Sequence, residues 1–232
     1  MLNSFAIPSQ VRAVLFDAVG TLIHPEPPVA PAYRKVGCHF GSCLDEDEIL
    51  VRFRQAFARQ EALDADNALD ASEERERARW RAIVSEVFDD VTEKAGLFAA
   101  LWEHFAVPAH WRLFDDAAPA WLNLSQRGLR LGIASNFDLR LERLAAAMPP
   151  LDQAAAVYAS TRVGYRKPAR EFFQTIERAL ELNPEELLLV GDDQANDFNA
   201  ARAAGWHAVL VVRDQQKPPG VGLSVQSLME LC

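Results

Sequence analysis

The segment "VRAVLFDAVGTLIHPEPP" (residues 11–28) decides how the rest of the chain is interpreted. It is largely apolar up to Phe16, meets a single carboxylate at Asp17 and breaks at Gly20 and Thr21. A short apolar run that ends at turn residues is typical of a buried strand, and an aspartate at its end is either a turn cap or a nucleophile. We favour the nucleophile, because small residues such as Gly20 and Thr21 let backbone N–H groups approach a bound anion.

Composition and charge limit the partners that this chain can have. Half of its 232 residues are hydrophobic, which is enough for a sizeable core, and the formal net charge of -9 argues against binding to a nucleic-acid backbone. No apolar run reaches the roughly 18 residues of a membrane span. Three cysteines (Cys38, Cys43 and Cys232) do not make a disulfide framework. We therefore predict a cytoplasmic protein with neither nucleic acid nor membrane as a partner, and the sequence leaves its oligomeric state open.

Short β-rich runs alternate with helical patterns in the second half of the chain. Counting the run before Asp17, they are residues 11–16, 129–134, 155–159, 187–190 and 207–212. This βαβ rhythm predicts an α/β fold, in which a mostly parallel sheet is covered by helices on both faces. Ligands of such sheets bind beyond the carboxyl ends of the strands. We therefore expect Asp17, Ser135 and Asp192, which follow three of these runs, to converge at one edge.

The region between the first strand and the others has a different character. From "HPEPPVAP" (residues 24–31) to "VPAHWRLFDD" (residues 107–116) there is no convincing strand, only helical stretches at 45–62, 72–88 and 92–105. We interpret residues 25–112 as a helical cap inserted into a core made of residues 1–24 and 113–232, with two linkers beside the ligand edge. Ser72 is the expected start of the second helix, and the charged run "EERERARWR" (residues 73–81) is interpreted as a solvated face.

Two further segments place polar groups at predicted element ends. "GIASNFD" (residues 132–138) offers the Ser135 hydroxyl and the free N–H groups of a helix N-terminus, although Ser135, Asn136 and Asp138 would also serve as an ordinary helix cap. "GYRKPAREFF" (residues 164–173) places Lys167 directly before Pro168, where a helix is expected to begin. A lone lysine at such a position is usually solvated, so Lys167 by itself identifies no site.

The segment "LLLVGDDQAND" (residues 187–197) carries three carboxylates where a buried strand meets a glycine turn. These are Asp192, Asp193 and Asp197. Packing them beside Asp17 is costly without a cation, because like charges repel strongly in a poorly solvated site. Proteins hold Mg²⁺ through a few carboxylates and several waters, so the sequence predicts Mg²⁺ as the counter-ion.

Taken in order, "FDAVGTL", "ASN", "RKPAREFF" and "GDDQAND" resemble the four motifs of the haloacid dehalogenase superfamily, in the branch whose helical cap is inserted after the first motif. The resemblance implies a Rossmann-like core and a cap that selects the substrate. It also implies that Asp17 is the nucleophile that forms a covalent intermediate. Lys167, a second catalytic residue, would hold the anionic group of the substrate together with Ser135. Gly20, Thr21 and Asn136 are the further substrate-binding candidates.

The resemblance further implies a metal site and reveals one departure. Asp17 and Asp192 would hold Mg²⁺ directly, together with the backbone carbonyl of Val19, and Asp197 would either ligate the ion or orient a metal-bound water. Phosphatases of this superfamily carry a second aspartate at the position of Val19, where it protonates the departing alcohol and later activates water. Valine does neither. His24, just after the motif, is a candidate substitute because the ordinary pKa of histidine suits proton transfer.

Three functions are compatible with these motifs. The first is a hydrolase with a covalent aspartyl intermediate, acting as a Mg²⁺-dependent phosphohydrolase on a small anionic, phosphorylated metabolite. The second is a metal-independent 2-haloacid dehalogenase, and the third is a catalytically weak protein that binds a phosphorylated metabolite. Because a dehalogenase needs no metal, the carboxylates Asp192, Asp193 and Asp197 favour phosphoryl chemistry.

Overall fold

The described part of the molecule contains eight short strands, nine α-helices, several 3-10 turns and one π-helical segment (Gln194–Asn199) that carries Asp197. The computed structural model describes residues 5–213 and 223–231. The strands are β1 (Ala13–Phe16), β2 (Ile23–Pro25), β3 (Trp111–Leu113), β4 (Arg130–Ser135), β5 (Val157–Ala159), β6 (Leu187–Gly191), β7 (His207–Val211) and β8 (Ser224–Val225). The helices are α1 (Val29–His39), α2 (Glu46–Asp66), α3 (Glu73–Val87), α4 (Lys94–His104), α5 (Ala117–Gln126), α6 (Arg140–Ala146), α7 (Ser160–Val163), α8 (Arg170–Leu180) and α9 (Ala200–Ala203).

Six of the strands form one parallel sheet in the order β5-β4-β1-β6-β7-β8. The chain adds strands first on one side of β1 and then on the other, which is the order of a doubly wound α/β sheet. The five predicted strands are all present, with ends that differ by one or two residues. The predicted α/β fold with a mostly parallel sheet is therefore confirmed.

The first strand is central because it is apolar on both sides. All four residues of β1 are buried, and successive side chains of a strand point to opposite faces of a sheet. Val14 and Phe16 accordingly belong to an apolar cluster that also contains residues of α5 and α6. Ala13 and Leu15 belong to a second cluster, which contains residues of α8. Helices on both faces thus leave only the ends of the strands open for a ligand.

The helices α1 to α4 form a third apolar cluster of their own. Helix α3 begins as predicted, since the Ser72 side chain accepts a hydrogen bond from the backbone N–H of Arg75 (3.2 Å). Helix α1 was not predicted, because its proline-rich start hides a helical pattern. Pro28 precedes its first turn and Pro31 lies within that turn, where a missing N–H removes no helical hydrogen bond. No helix in the described ranges has both the length and the apolarity to cross a membrane.

An antiparallel pair, β2 and β3, stands at the point where the helical segment leaves and returns. Ile23 pairs with Leu113, and Pro25 pairs with Trp111. The sequence-based statement that this region contains no strand is therefore wrong. Three-residue strands that contain proline and histidine are too short to show a period of two. Both predicted domain boundaries, 24/25 and 112/113, fall inside this pair, and the division into core and cap domains stays a prediction.

Candidate active site

The candidate nucleophile sits where three parallel strands end together. Asp17 directly follows β1, and its backbone N–H donates to the carbonyl of Val190 in β6 (2.8 Å). Ser135 ends β4 on the other side of β1, and Asp192 directly follows β6. Since all three strands run in the same direction, their carboxyl ends meet at one edge. The expected convergence of Asp17, Ser135 and Asp192 follows from this register.

Lys167 lies buried between two of the carboxylates. Its Nζ donates to Asp17 Oδ1 (2.7 Å), to Asp197 Oδ1 (2.5 Å) and to the carbonyl of Ala134 (2.9 Å). Burial lowers the pKa of Lys167, but the two carboxylates outweigh burial and raise it above the ordinary value. The ammonium group is thus held in its charged form beside the nucleophile.

The position of Lys167 is fixed by the amide of Asn136. The Nδ2 group of Asn136 donates to the backbone carbonyl of Lys167 (2.9 Å), and its Oδ1 accepts from the backbone N–H of Lys167 (2.8 Å). Helix α6 begins at Arg140, and of the three expected cap residues Asp138 accepts the backbone N–H of Arg140 (3.0 Å), whereas Ser135 and Asn136 do not cap the helix. Helix α8 begins at Arg170 rather than at Pro168. These contacts make Asn136 a positioning residue for Lys167, and its role in substrate binding stays a prediction.

Three carboxylates lie close enough to share a cation. One oxygen each from Asp17, Asp192 and Asp197 lies within 4.8 Å of the others. Burial is the main cause that raises the pKa of Asp17, against the opposing effect of Lys167. Asp192 reaches solvent, but partial burial and repulsion from Asp197 raise its pKa to about 6. Burial likewise raises the pKa of Asp197 to about 6. At neutral pH the three carboxylates together carry more negative charge than the single Lys167 ammonium offsets, and their mutual repulsion is one reason that their pKa values are raised.

Two glycines make room for this cluster. A Cβ atom at Gly20 would stand 2.2 Å from Asp192 Oδ2, and one at Gly191 would stand 2.2 Å from Asp197 Oδ2. Gly20 also has a φ of +90°, which side chains rarely allow. The backbone itself thus closes around the two carboxylates, which is an arrangement suited to a small cation with oxygen ligands.

Gly20 and Thr21 contact the turn rather than open space. The Gly20 N–H donates to the carbonyl of Ile23 (2.9 Å), and the Thr21 hydroxyl donates to Asp192 Oδ1 (3.0 Å). Neither residue lines the cavity in front of Asp17. These contacts indicate that both residues hold the turn and Asp192 in place, and substrate binding by them stays a prediction.

A cavity of about 350 Å³ opens in front of Asp17. Its polar end is formed by the carboxylates, Ser135 and Lys167. Nine aromatic side chains line much of the rest, together with Glu61, Arg79, Arg140 and Arg166. Val19 faces the cavity and is 37% exposed. The candidate proton donor His24 instead packs against Phe114, with ring centroids 4.8 Å apart, and does not line the cavity. The proposed substitution of His24 for the missing acid therefore has no support in the geometry.

Comparison with known proteins places these features in a family. The sequence model of the haloacid dehalogenase-like hydrolase family matches residues 11–205. This chain belongs to that family. The resemblance inferred from the four motifs is thus confirmed, and the chain is a hydrolase by family membership.

Relatives and solved structures cover almost the whole of this hydrolase. Haloacid dehalogenase-like hydrolase domain-containing protein 3 of Homo sapiens is 29% identical over 221 residues, which span 93% of this chain and 88% of that protein. The structure of the defluorinating L-2-haloacid dehalogenase Rha0230 matches with a TM-score of 0.77 and 20% identity, covering 98% of this chain and 97% of its own. HAD-hydrolase YfnB from Bacillus subtilis, bound to magnesium, matches with a TM-score of 0.75 and 20% identity, covering 95% and 96%. At such identities the two structures show a common fold alone.

The structure contains a buried charge network next to Lys167 that the sequence motifs did not indicate. Arg166 donates to Asp64 Oδ2 (2.7 Å) and Glu61 Oε1 (2.8 Å), both on α2. Arg79 of α3 donates to Asp64 Oδ2 as well (2.9 Å) and forms a second bond with Glu61. Glu76 of α3 lies against both guanidinium groups. This network joins the helical segment of the hydrolase to the residue that precedes Lys167.

The interpretation of "EERERARWR" as a solvated face is therefore wrong at two positions. Glu76 and Arg79 are each only 5% exposed. They share a buried stripe of α3 with Ile83 and Val87, at spacings of three and four residues. Burial raises the pKa of Glu76 and lowers that of Arg79. Charged residues on an apolar stripe were the signal that could have identified this network.

The turn after the nucleophile is also held by a residue that follows β7, two strands away from β1 in the sheet. The guanidinium group of Arg213, just after β7, donates to the carbonyls of Thr21 (2.5 Å) and Gly20 (3.2 Å) and lies 3.7 Å from the centre of the Phe114 ring. Its remaining Nη1 group donates to both carboxylate oxygens of Asp116 (3.0 Å). Arg213 is therefore a second positioning residue of the hydrolase that no motif indicated.

Proposed function

We propose that this hydrolase is a Mg²⁺-dependent phosphohydrolase that acts on a small phosphorylated metabolite through a covalent intermediate on Asp17. The observation that carries the proposal is the group of three carboxylates around one lysine. Asp17, Asp192 and Asp197 stand against Lys167, which leaves two formal negative charges to be compensated. Displacement of halide needs no such excess of negative charge, whereas a doubly charged cation is held by it and can in turn bind an anionic substrate group.

The residues present fit a magnesium ion. Carboxylate oxygens are the ligands that Mg²⁺ prefers, and we assign Asp17, Asp192 and Asp197 to it together with the carbonyl of Val19. When bound, Mg²⁺ supplies positive charge that offsets the negative charge of a phosphoryl group. The Bacillus subtilis structure of the same fold is bound to magnesium, which supports the choice of this metal.

The side chains of the chain itself account for the remaining steps. A carboxylate oxygen of Asp17 attacks the phosphorus atom, and the bond to the leaving oxygen breaks with its electron pair. Lys167, fixed by Asn136, holds the transferred group in place through its charge. Water then attacks the phosphorus of the aspartyl phosphate, which releases inorganic phosphate and returns the Asp17 carboxylate. The substrate class and a cytoplasmic location stay predictions, as does the assignment of residues 25–112 as a substrate-selecting cap domain.

The test is hydrolysis of p-nitrophenyl phosphate with 5 mM MgCl₂ or with EDTA. We expect nitrophenolate release that requires Mg²⁺ and that is lost in Asp17→Asn, whose circular dichroism spectrum and melting temperature show a folded protein. Release of chloride from 2-chloropropionate without metal would instead identify a dehalogenase. A protein that is silent in both assays but binds inorganic phosphate would be a binding protein, and either result refutes the proposal.

A further inference from the structure

The cavity in front of Asp17 is built for an apolar, flat group. Beyond its charged end, it is lined by aromatic side chains, among them Tyr33, Phe53, Phe57, Trp80, Trp102 and Phe137. Phe53, Phe57 and Trp80 are only partly buried by the protein itself. The Arg79 guanidinium lies over the Phe57 ring, 4.6 Å from its centroid, so the exposed parts of these rings, rather than every face, are available to a bound molecule. An aromatic concave surface next to a few polar groups is the usual form of a small-molecule site.

These rings support one another and form a continuous wall. The centroid of Phe53 lies 5.4 Å from that of Tyr33 on α1 in an edge-on arrangement. The same ring is stacked with Phe57 of α2 (6.0 Å) and with Trp80 of α3 (6.3 Å). Three helices thus present one apolar surface, and a planar ring inserted there would find the offset contacts that aromatic pairs prefer.

The charged groups of the cavity are already engaged. Asp17 and Asp197 bind Lys167, while Asp192 accepts from Thr21. Asp193 accepts two backbone N–H groups of the turn that follows it.

Other polar side chains that line the cavity are also unavailable to protonate or bind a substrate group. Glu61 binds Arg79 and Arg166, and Arg140 is paired with Asp138. The phenol of Tyr33 holds its proton firmly because burial raises its pKa. Among the described residues that line the cavity, no histidine and no unengaged carboxyl group is placed to protonate a leaving oxygen.

From these two observations we propose that the substrate is the phosphate ester of an uncharged phenol-type group. The inference rests on the proposed phosphohydrolase function and narrows it. In the first step the Asp17 oxygen bonds to phosphorus while the bond from phosphorus to the aryl oxygen breaks. The electron pair leaves on a phenolate, which the ring stabilises and which takes its proton from solvent. Water then cleaves the aspartyl phosphate, so that the products are a phenol and inorganic phosphate.

The decisive comparison keeps the leaving group constant and changes only its polarity. 4-Methylphenyl phosphate and O-phosphotyrosine both release a phenol with a pKa of about 10. Phosphotyrosine adds an ammonium and a carboxylate group, which an aromatic wall without free counter-charges does not accommodate. With saturating Mg²⁺ we expect kcat/KM on the order of 100-fold higher for 4-methylphenyl phosphate. Equal values for the two esters would overturn the inference.

A pair of variants at one position tests whether the wall is responsible. Phe53→Gln places a polar group in the wall, and Phe53→Leu, the matched control, keeps it apolar. We expect Phe53→Gln to lower kcat/KM for the methylphenyl ester about tenfold with little change for phosphotyrosine, and Phe53→Leu, which keeps the wall apolar but loses the ring contacts, to lower it by a smaller factor. If both variants behave alike, the wall does not select the substrate.

The failures of the two proposals are distinguishable. Mg²⁺-dependent turnover of p-nitrophenyl phosphate without preference between the matched esters refutes only the aryl substrate. No turnover of any phosphate ester refutes the phosphohydrolase function and the inference with it. The comparison of esters uses the unmodified chain, so it remains decisive even if Phe53→Gln does not fold.

Discussion

Removal of the Arg166 guanidinium should destabilise the protein far more than removal of a surface arginine. Arg166 is 5% exposed at its side chain and contacts Asp64, Glu61 and Glu76 at 2.7, 2.8 and 3.4 Å. Breaking a buried ion pair from one side costs about 3–5 kcal/mol, because the other charge stays buried without a partner. Here Arg79 remains, and the Glu61 and Asp64 side chains are 31% and 18% exposed, so we take the lower end, about 3 kcal/mol.

The magnitude can be measured as a melting temperature with a matched control. For a chain of this size, 1 kcal/mol corresponds to about 2–4 °C, so Arg166→Gln should melt about 6–12 °C lower. Arg162→Gln breaks a bridge to Glu142 in which the side chains are 59% and 38% exposed. Such surface pairs contribute about 0–1 kcal/mol, so the control should lose less than about 4 °C. Equal melting temperatures for the two variants, by circular dichroism or calorimetry, would refute this account of the network.

The same variant has a predicted pH dependence through Glu76. Burial raises the pKa of Glu76 above its ordinary value of 4.5, against the opposing effects of Arg79 and Arg166. A carboxyl group with a raised pKa binds more protons in the folded than in the unfolded state, so its contribution to stability is full below pH 4.5 and falls as the pH rises through the folded pKa. Loss of Arg166 raises that pKa further. The free energy lost in Arg166→Gln, from urea unfolding, should therefore be smaller at pH 5 than at pH 7.5, and equal losses would contradict it.

Three further outcomes test the candidate site. Millimolar Mg²⁺ should raise the melting temperature by several degrees in the unmodified protein but not in Asp192→Asn, because the ion binds the folded carboxylates alone; an unchanged shift in the variant would exclude Asp192 as a ligand. Val19→Asp should raise the ratio of alkyl phosphate turnover to p-nitrophenyl phosphate turnover by up to about 10² to 10⁴, because only the alkoxide leaving group needs a proton. A constant ratio would show that the residue at position 19 does not limit the reaction. Arg213→Ala should lower kcat about tenfold or more with little change in KM, because the turn after Asp17 loses its clamp, and a change in KM alone would argue against positioning.

The edge of the sheet that carries Asp17 was predictable, because each strand that ends there is marked by its own local sequence pattern. Apolar runs followed by turn residues mark β1, β4 and β6, and parallel strands bring their carboxyl ends together whatever the loops between them. The convergence of Asp17, Ser135 and Asp192 therefore needed only the strand pattern. The short pair β2 and β3 needed more, because its strands are held by each other across more than eighty intervening residues rather than by a local pattern.

The contacts that support the site could not be predicted, because their partners are far apart in the sequence. Arg166 meets Asp64 and Glu61 at sequence separations of 102 and 105 residues, so no window of sequence contains both partners. The roles given to Gly20 and Thr21 illustrate a second limit. Small residues beside a nucleophile indicate that backbone lies close to charged groups, but only coordinates show that the neighbours are Ile23 and Asp192 rather than a ligand.

The pairing of β2 with β3 means that the backbone leaves the sheet-bearing part of the molecule and returns to it at one antiparallel pair. Pro25 stands opposite Trp111, and the Glu26 N–H donates to the carbonyl of His110 (2.8 Å), so the chain that departs and the chain that comes back are adjacent. A tight turn in place of residues 27–109 would keep the backbone path into and out of this pair, but it would remove Asp64, Glu61 and Glu76 and leave Arg166 without its buried partners. The helical segment is thus tied to the strands twice, by the backbone at this hairpin and by side-chain charges beside Lys167, so that its orientation over Asp17 depends on both.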